Sequence, residues 1–137
     1  VNEKIVFTNG CFDLLHLGHV DYLAKARDLG SRLVVGLNTD ASIRRIKGSS
    51  RPIKDEQSRV ALLAGMAYVD AVVLFDEEAP IKLISMIQPD VLVKGGDYEV
   101  KDIVGHEIVL NNKGKVCTID FVDGYSSSAL IEKVKTS

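Results

Sequence analysis

Cysteine is scarce in this 137-residue chain, and the two present, Cys11 and Cys117, form neither a metal-ligand spacing nor a disulfide framework. Two isolated thiols point to a reducing compartment, and their default role is that of small buried side chains. No apolar run approaches the ~20 residues that a membrane span needs, and the first residues lack the basic-then-apolar pattern of a secretion signal. The expected location is therefore the cytoplasm. Positive charge is not in excess either, since 17 Lys and Arg face 19 Asp and Glu for a net charge of -2. No global field would gather nucleic acid or hold the chain at a membrane, so an anionic ligand has to be small and held by a local site. Internal repeats, low-complexity tracts and interdomain linkers are missing as well. With 46% hydrophobic and 26% charged residues, the chain is expected to form one α/β domain over residues 1–137.

What is present is an alternation of short β-branched runs with amphipathic stretches. Ile5-Val6-Phe7, Leu33 to Leu37, Ala71 to Phe75, Val91-Leu92-Val93 and Val116 to Ile119 read as strands. Helices are expected from near Val20 to Leu29, from Asp40 to Ile46, after an Asp55 N-cap with Val60, Leu62, Leu63 and Met66 inward, from Pro80 to about Gln88, and from Ser127 to Val134. Nearly continuous apolar strands separated by helices predict a Rossmann-like parallel sheet with helices on both faces, which places ligands at the carboxyl ends of the strands. The polar, glycine-bearing segments fall at those ends: Thr8-Asn9-Gly10, Asn38-Thr39-Asp40, Lys94-Gly95-Gly96-Asp97-Tyr98 and Asp123 to Ser128. Lys47 to Lys54 is the one flexible, basic stretch.

The densest chemistry lies in Gly10-Cys11-Phe12-Asp13-Leu14-Leu15-His16-Leu17-Gly18-His19, between the first strand and the first helix. Imidazoles at i and i+3 around a first helical turn can point together toward its positive pole, where anions bind. His16 and His19 are thus read as hydrogen-bond donors to phosphate oxygens whose charge grows during phosphoryl or nucleotidyl transfer. A zinc site is the rival reading, but the only other histidine, His106, lies in a different segment. Gly10 and Gly18 either serve only as turn glycines or let backbone approach a phosphate, and Asp13 either caps or orients the histidines. Ser126-Ser127-Ser128 opens a helix and offers hydroxyls and free N–H groups to an anion. Arg44, Arg45, Lys47, Arg51 and Lys54 form a basic cluster read as a mobile clamp, with Gly48 giving it freedom. Arg59 either reaches the same site or pairs with Asp55 at i, i+4. The two glycines at 95 and 96 permit a flat loop on which a base can lie, with Asp97 near its edge.

These residues resemble a known family. Gly10-x-Phe12-Asp13-x-x-His16-x-Gly18-His19 is similar to the signature of the nucleotidyltransferases of the cytidylyltransferase-like superfamily, and Gly124-Tyr125-Ser126-Ser127-Ser128 to their second signature, in which threonines are usual where Ser127 and Ser128 stand. The resemblance covers almost the whole chain, Val69-Asp70-x-Val72 included. Within it, Asn9 to Asp13, Arg45 to Pro52, Leu92 to Tyr98 and Phe121-x-Asp123-Gly124 look most like the adenylyltransferase domain of the heptose-phosphate kinase/adenylyltransferases.

The resemblance implies transfer of AMP from ATP to D-glycero-β-D-manno-heptose 1-phosphate, releasing pyrophosphate and supplying ADP-heptose for the lipopolysaccharide core. His16, His19 and Lys47 would be catalytic. Asn9, Gly10, Cys11, Phe12, Asp13, Gly18, Gly95, Asp97, Ser126, Ser127 and Ser128 would bind the nucleotide, and Asp40, Arg51 and Arg59 the acceptor. Mg²⁺ would accompany ATP, and no covalent intermediate would form. The kinase half has no counterpart in these residues, so the chain is expected to be a stand-alone adenylyltransferase or an excised domain. Its expected partners are a second copy in a homodimer and a separate heptose-phosphate kinase. A glycerol-3-phosphate cytidylyltransferase is the alternative enzyme, though Phe121 stands where those enzymes carry an arginine. A nucleotide-binding module without turnover is the alternative class, and it has no need of the histidine pair.

Overall fold

The computed structural model describes residues 3–96 and 98–136. Strands β1 (Ile5–Gly10), β2 (Arg32–Asn38), β3 (Ala71–Phe75), β4 (Val91–Gly95) and β5 (Lys115–Ile119) form one sheet in the order β3-β2-β1-β4-β5. Every neighbouring pair is parallel. Between them run α1 (Leu17–Arg27), α2 (Asp40–Lys47), α3 (Glu56–Ala64), α4 (Ile81–Ile87) and α5 (His106–Asn111), and α6 (Ser127–Thr136) follows β5. The expected α/β class and two-sided sheet are both present.

Alternate strand side chains enter two cores, as the pleat requires. Val6, Leu33, Val35, Leu37, Val91 and Val93 pack beneath α1 and α3 through Tyr22, Leu23, Ala26 and Leu63. Phe7 and Leu92 face the other way, onto Ile84 of α4 and Val109 of α5. Burial on both faces explains why these strands are apolar throughout rather than alternating. The chain leaves β1 toward β2, whereas β4 lies on the other flank of β1. Their carboxyl ends therefore border a topological switch point, the place where such sheets open a crevice for ligands.

Five local expectations are corrected. The first strand does not stop at Phe7 but continues through Gly10, and β4 continues through Gly95, so residues read as loop belong to strand ends. Helix α1 starts at Leu17 rather than near Val20, because His16 supplies its N-cap. A short 3₁₀ turn (Val100–Asp102) and α5 were not expected. Helix α5 is six residues long, follows Gly105 at φ 93° and has no side-chain cap, so none of the usual start signals marks it.

Candidate active site

The two imidazoles cap α1 for each other. Gly18 N–H donates to His16 Nδ1 at 3.0 Å, and His16 N–H donates to His19 Nδ1 at 3.2 Å. This is the geometry of a capping box, with imidazole nitrogens in place of the usual hydroxyl and carboxylate oxygens. A nitrogen that accepts from an amide carries no proton, so each ring is held as the neutral tautomer with its proton on Nε2. The rings lie 3.9 Å apart between centroids. Burial, with His16 beside it, lowers the His19 pKa from 6.5 to about 4, and burial lowers that of His16 in the same direction. Two neutral N–H donors thus stand together at the positive end of a helix.

Gly18 is required by this packing. A Cβ there would fall 2.8 Å from His16 Cε1 and 2.9 Å from its Nδ1, inside van der Waals contact. Position 18 is glycine because the first imidazole lies over it. Phe12 adds a second constraint, with φ at 47° and its ring 5.3 Å from that of His19. A left-handed bulky residue is uncommon and costly, and such strain gathers at functional turns.

Asp13 does not cap α1, and its hydrogen bonds go to Arg51, Ile53 and Lys54 rather than to the histidines. Its buried carboxylate accepts from the backbone N–H groups of Ile53 and Lys54 at 2.8 Å and 2.9 Å, and Arg51 Nε lies 3.3 Å away. It ties the α2–α3 connection back to the β1–α1 loop. The stretch expected to move freely is therefore anchored over its second half. Lys47, at the end of α2 and just before Gly48 at φ 95°, lies ahead of that anchor.

Arg59 does not pair with Asp55, which instead caps α3 by accepting from Ser58 N–H at 2.8 Å. The fully buried guanidinium donates to the carbonyls of Lys54, Cys11 and Asn38 and to Asp40 Oδ1 at 2.7 Å. Arg59 and Asp40 together staple the carboxyl ends of β1 and β2, outside the cleft.

That cleft encloses about 690 Å³ at the switch point. Asn9, Gly10, Cys11, Phe12 and Asp13 line it from β1 and its loop, with His16, Gly18 and His19 following. Lys47 and Arg51 stand on one flank, Gly95, Ser126 and Ser127 on another. Ser128 does not line it, and Asp97 lies outside the described residues. The serines have structural partners as well: Ser126 Oγ accepts from Ala129 N–H at 3.0 Å, and Ser127 Oγ donates to Leu14 O at 2.7 Å. The second bond docks α6 against the histidine loop.

Sequence reasoning gave no binding role to Lys94, Tyr22, Tyr98, Phe121 or Tyr125, all of which line the cleft. Lys94 stands at the end of β4, where burial pushes its ammonium below the usual lysine range while the Cys11 thiol pulls the other way. It makes no ion pair among the described residues. Tyr22 is locked by a 2.6 Å hydrogen bond between its hydroxyl and that of Thr8, and burial pushes its pKa up to about 12. The alternation of β4 could have flagged Lys94 once that strand was known to continue to Gly95. Among the described residues, no group of three or more His, Cys, Asp or Glu side chains is disposed to hold a metal ion, and His106 borders a separate, smaller cavity.

The family model for cytidylyltransferase-like proteins matches residues 7–133, a span holding the histidine pair and the serine turn. This chain belongs to the cytidylyltransferase-like family. It is a nucleotidyltransferase. Among curated proteins, it is 58% identical to the bifunctional protein HldE of Citrifermentans bemidjiense and 55% identical to that of Campylobacter curvus, over 98% and 97% of this chain. Those matches span 28% of each relative, so the chain corresponds to rather more than a quarter of their length. A solved structure described as a lipopolysaccharide core biosynthesis protein from Thermoplasma volcanium shares 29% identity at a TM-score of 0.75, covering 89% of this chain and 100% of that one. Pantothenate synthetase from Thermus thermophilus is 16% identical at a TM-score of 0.64, over 98% of this chain and 64% of its own, and shows the fold alone. The resemblance drawn from the signatures is thus met across the whole cytidylyltransferase-like domain. No helix among the described residues is long and apolar enough to cross a membrane.

Proposed function

We propose that this domain transfers AMP from ATP to D-glycero-β-D-manno-heptose 1-phosphate, giving ADP-heptose and pyrophosphate. The observation that carries the reaction type is the imidazole pair, locked at Nδ1 so that Nε2–H remains the donor of each ring, with both side chains lining the cleft at the N-terminus of α1. The acceptor's phosphate oxygen attacks the α-phosphorus in line, and the bond from that phosphorus to pyrophosphate breaks. The attacking oxygen is already anionic, so no general base is needed. What the reaction needs is stabilisation of charge on the equatorial oxygens, which preorganised neutral donors supply without reorganisation. Because burial lowers the pKa of both rings, that of His19 to about 4, they donate from the neutral form without first taking a proton from solvent.

Lys47 neutralises the departing pyrophosphate from the α2 side, and Lys94 faces the same cleft from β4. We propose Mg²⁺ as a companion of ATP. The one described carboxylate lining the cleft, Asp13, is already occupied by two amides and Arg51, so the donor set suits a metal carried in on the triphosphate. Support for the heptose comes from the segments shared with heptose-phosphate adenylyltransferases, from whole-chain identity to bifunctional HldE proteins, and from the description of the Thermoplasma neighbour. On this reading a heptose-phosphate kinase activity supplies the acceptor.

ATP labelled in the α-phosphate tests the reaction. The label is expected in a sugar nucleotide formed only with heptose 1-phosphate, while γ-label leaves as pyrophosphate. Bound but unconverted ATP with every sugar phosphate would favour a binding module instead.

A further inference from the structure

The glycine pair at the end of β4 does not present an open platform for a base, because an aromatic ring already lies on it. A Cβ on Gly95 would come within 2.6 Å of Phe121 Cε1 and Cζ, and one on Gly96 within 3.2 Å of Cε2. A side chain at Gly95 would displace Phe121, and one at Gly96 would press on it, so the ring is seated on the glycine pair. Its second neighbour is the Tyr22 ring, 6.3 Å between centroids and tilted by 41°, which the Thr8 hydroxyl holds in place. With one edge on glycine backbone and another on a fixed tyrosine, Phe121 nevertheless remains 62% exposed. A phenylalanine supported in this way and still open to a ligand cleft is an unused stacking surface.

Of the other exposed rings in the cleft, Tyr125 lies against His16 and Tyr98 beneath Lys94, and the cationic and imidazole lining says what would cover Phe121. His16, His19, Lys47, Arg51 and Lys94 are donors or cations suited to phosphates. A nucleoside triphosphate has a single flat apolar part, and Phe121 offers the matching surface. We propose that Phe121 stacks against the nucleobase and sets the preference for a purine over a pyrimidine nucleotide. A two-ring base covers more of the phenyl face than a one-ring base, so the gain from stacking is larger for adenine. The inference deepens the adenylyltransferase reading and rests on it for the identity of the base.

Phe121→Ala and Phe121→Trp test it in the intact domain, since an exposed ring can be truncated without opening a core. Binding of the non-transferable analogue α,β-methylene-ATP is expected to weaken about tenfold in Phe121→Ala, or ~1.4 kcal/mol. It should be retained in Phe121→Trp. Binding of α,β-methylene-CTP should change by less than half as much on a logarithmic scale, so that the purine preference falls. A stacking signature adds a second readout: the fluorescence of 1,N6-etheno-ATP is quenched on binding to the wild type and Phe121→Trp, and that quenching is lost in Phe121→Ala.

Unchanged affinity for α,β-methylene-ATP in Phe121→Ala, or equal losses for the purine and pyrimidine analogues, would overturn the inference even if the wild type makes ADP-heptose. Conversely, a wild type that releases no pyrophosphate from ATP but shows Phe121-dependent binding and quenching would keep the inference and refute the transfer reaction. Failure of the wild type to bind α,β-methylene-ATP at all would overturn both.

Discussion

Gly18→Ala separates the catalytic from the structural work of the histidine loop. The added methyl would sit 2.8 Å from His16 Cε1, so the ring has to swing aside. Swinging it breaks the Gly18 N–H to Nδ1 bond, worth about 1 kcal/mol net. Alanine in place of glycine favours the helical backbone by up to about 1 kcal/mol, so the two effects nearly cancel in stability. They do not cancel in catalysis, because a donor misplaced by about 1 Å costs on the order of 100-fold in rate, or ~2.7 kcal/mol. The expected result is a melting temperature close to wild type with kcat for pyrophosphate release down about 100-fold. Circular dichroism melts and coupled pyrophosphate detection on the same preparation measure both. Near-normal kcat would refute the argument that the His16 ring is positioned for the reaction, and outright unfolding would refute the cancellation.

Three further outcomes are expected. Because His19 is held at a pKa of about 4 in the fold against 6.5 unfolded, it binds its proton later in the folded state as pH falls. Its contribution is complete above about pH 6.5 and is lost progressively toward pH 4; discounted for partial exposure, it amounts to about 1–2 kcal/mol. Urea melts of His19→Gln, which keeps a cap acceptor but does not titrate, should show a shallower decline over that window, and an unchanged slope would contradict the assignment. Lys47→Ala should lower kcat/KM for ATP by at least about tenfold, ~1.4 kcal/mol, at both low and high salt, with Lys54→Ala costing much less. Similar losses in both variants, erased by salt, would mark a diffuse field instead. Asp13→Asn keeps one acceptor but abandons Arg51, and should destabilise by about 1–3 kcal/mol while exposing the 48–54 connection to protease. Protection equal to wild type under limited proteolysis would count against the tether.

The parallel sheet and the histidine pair were legible because each rests on local pattern: apolar runs for the strands, and a ten-residue motif for the site. The start of α1 was misplaced because imidazole is not among the ordinary N-cap groups, so the residues that begin the helix carried no start signal. The roles of Asp13 and Arg59 were not legible for a different reason. Asp13 meets Ile53 and Lys54 across 40 and 41 positions, and Arg59 meets Cys11 across 48, so their partners exist only once the sheet is assembled. Phe121 was visible in the sequence as a departure from an arginine. Its seat on Gly95 and Gly96 required the parallel pairing of β4 with β5, which brings Gly95 opposite Ile119.

The most direct test of the central claim is pyrophosphate release measured with ATP and CTP, each paired with heptose 1-phosphate and glycerol 3-phosphate. Rapid release with ATP and heptose 1-phosphate, with the matching ADP-sugar recovered, is the predicted result. Turnover of CTP with glycerol 3-phosphate, and none with ATP and the heptose, would contradict it.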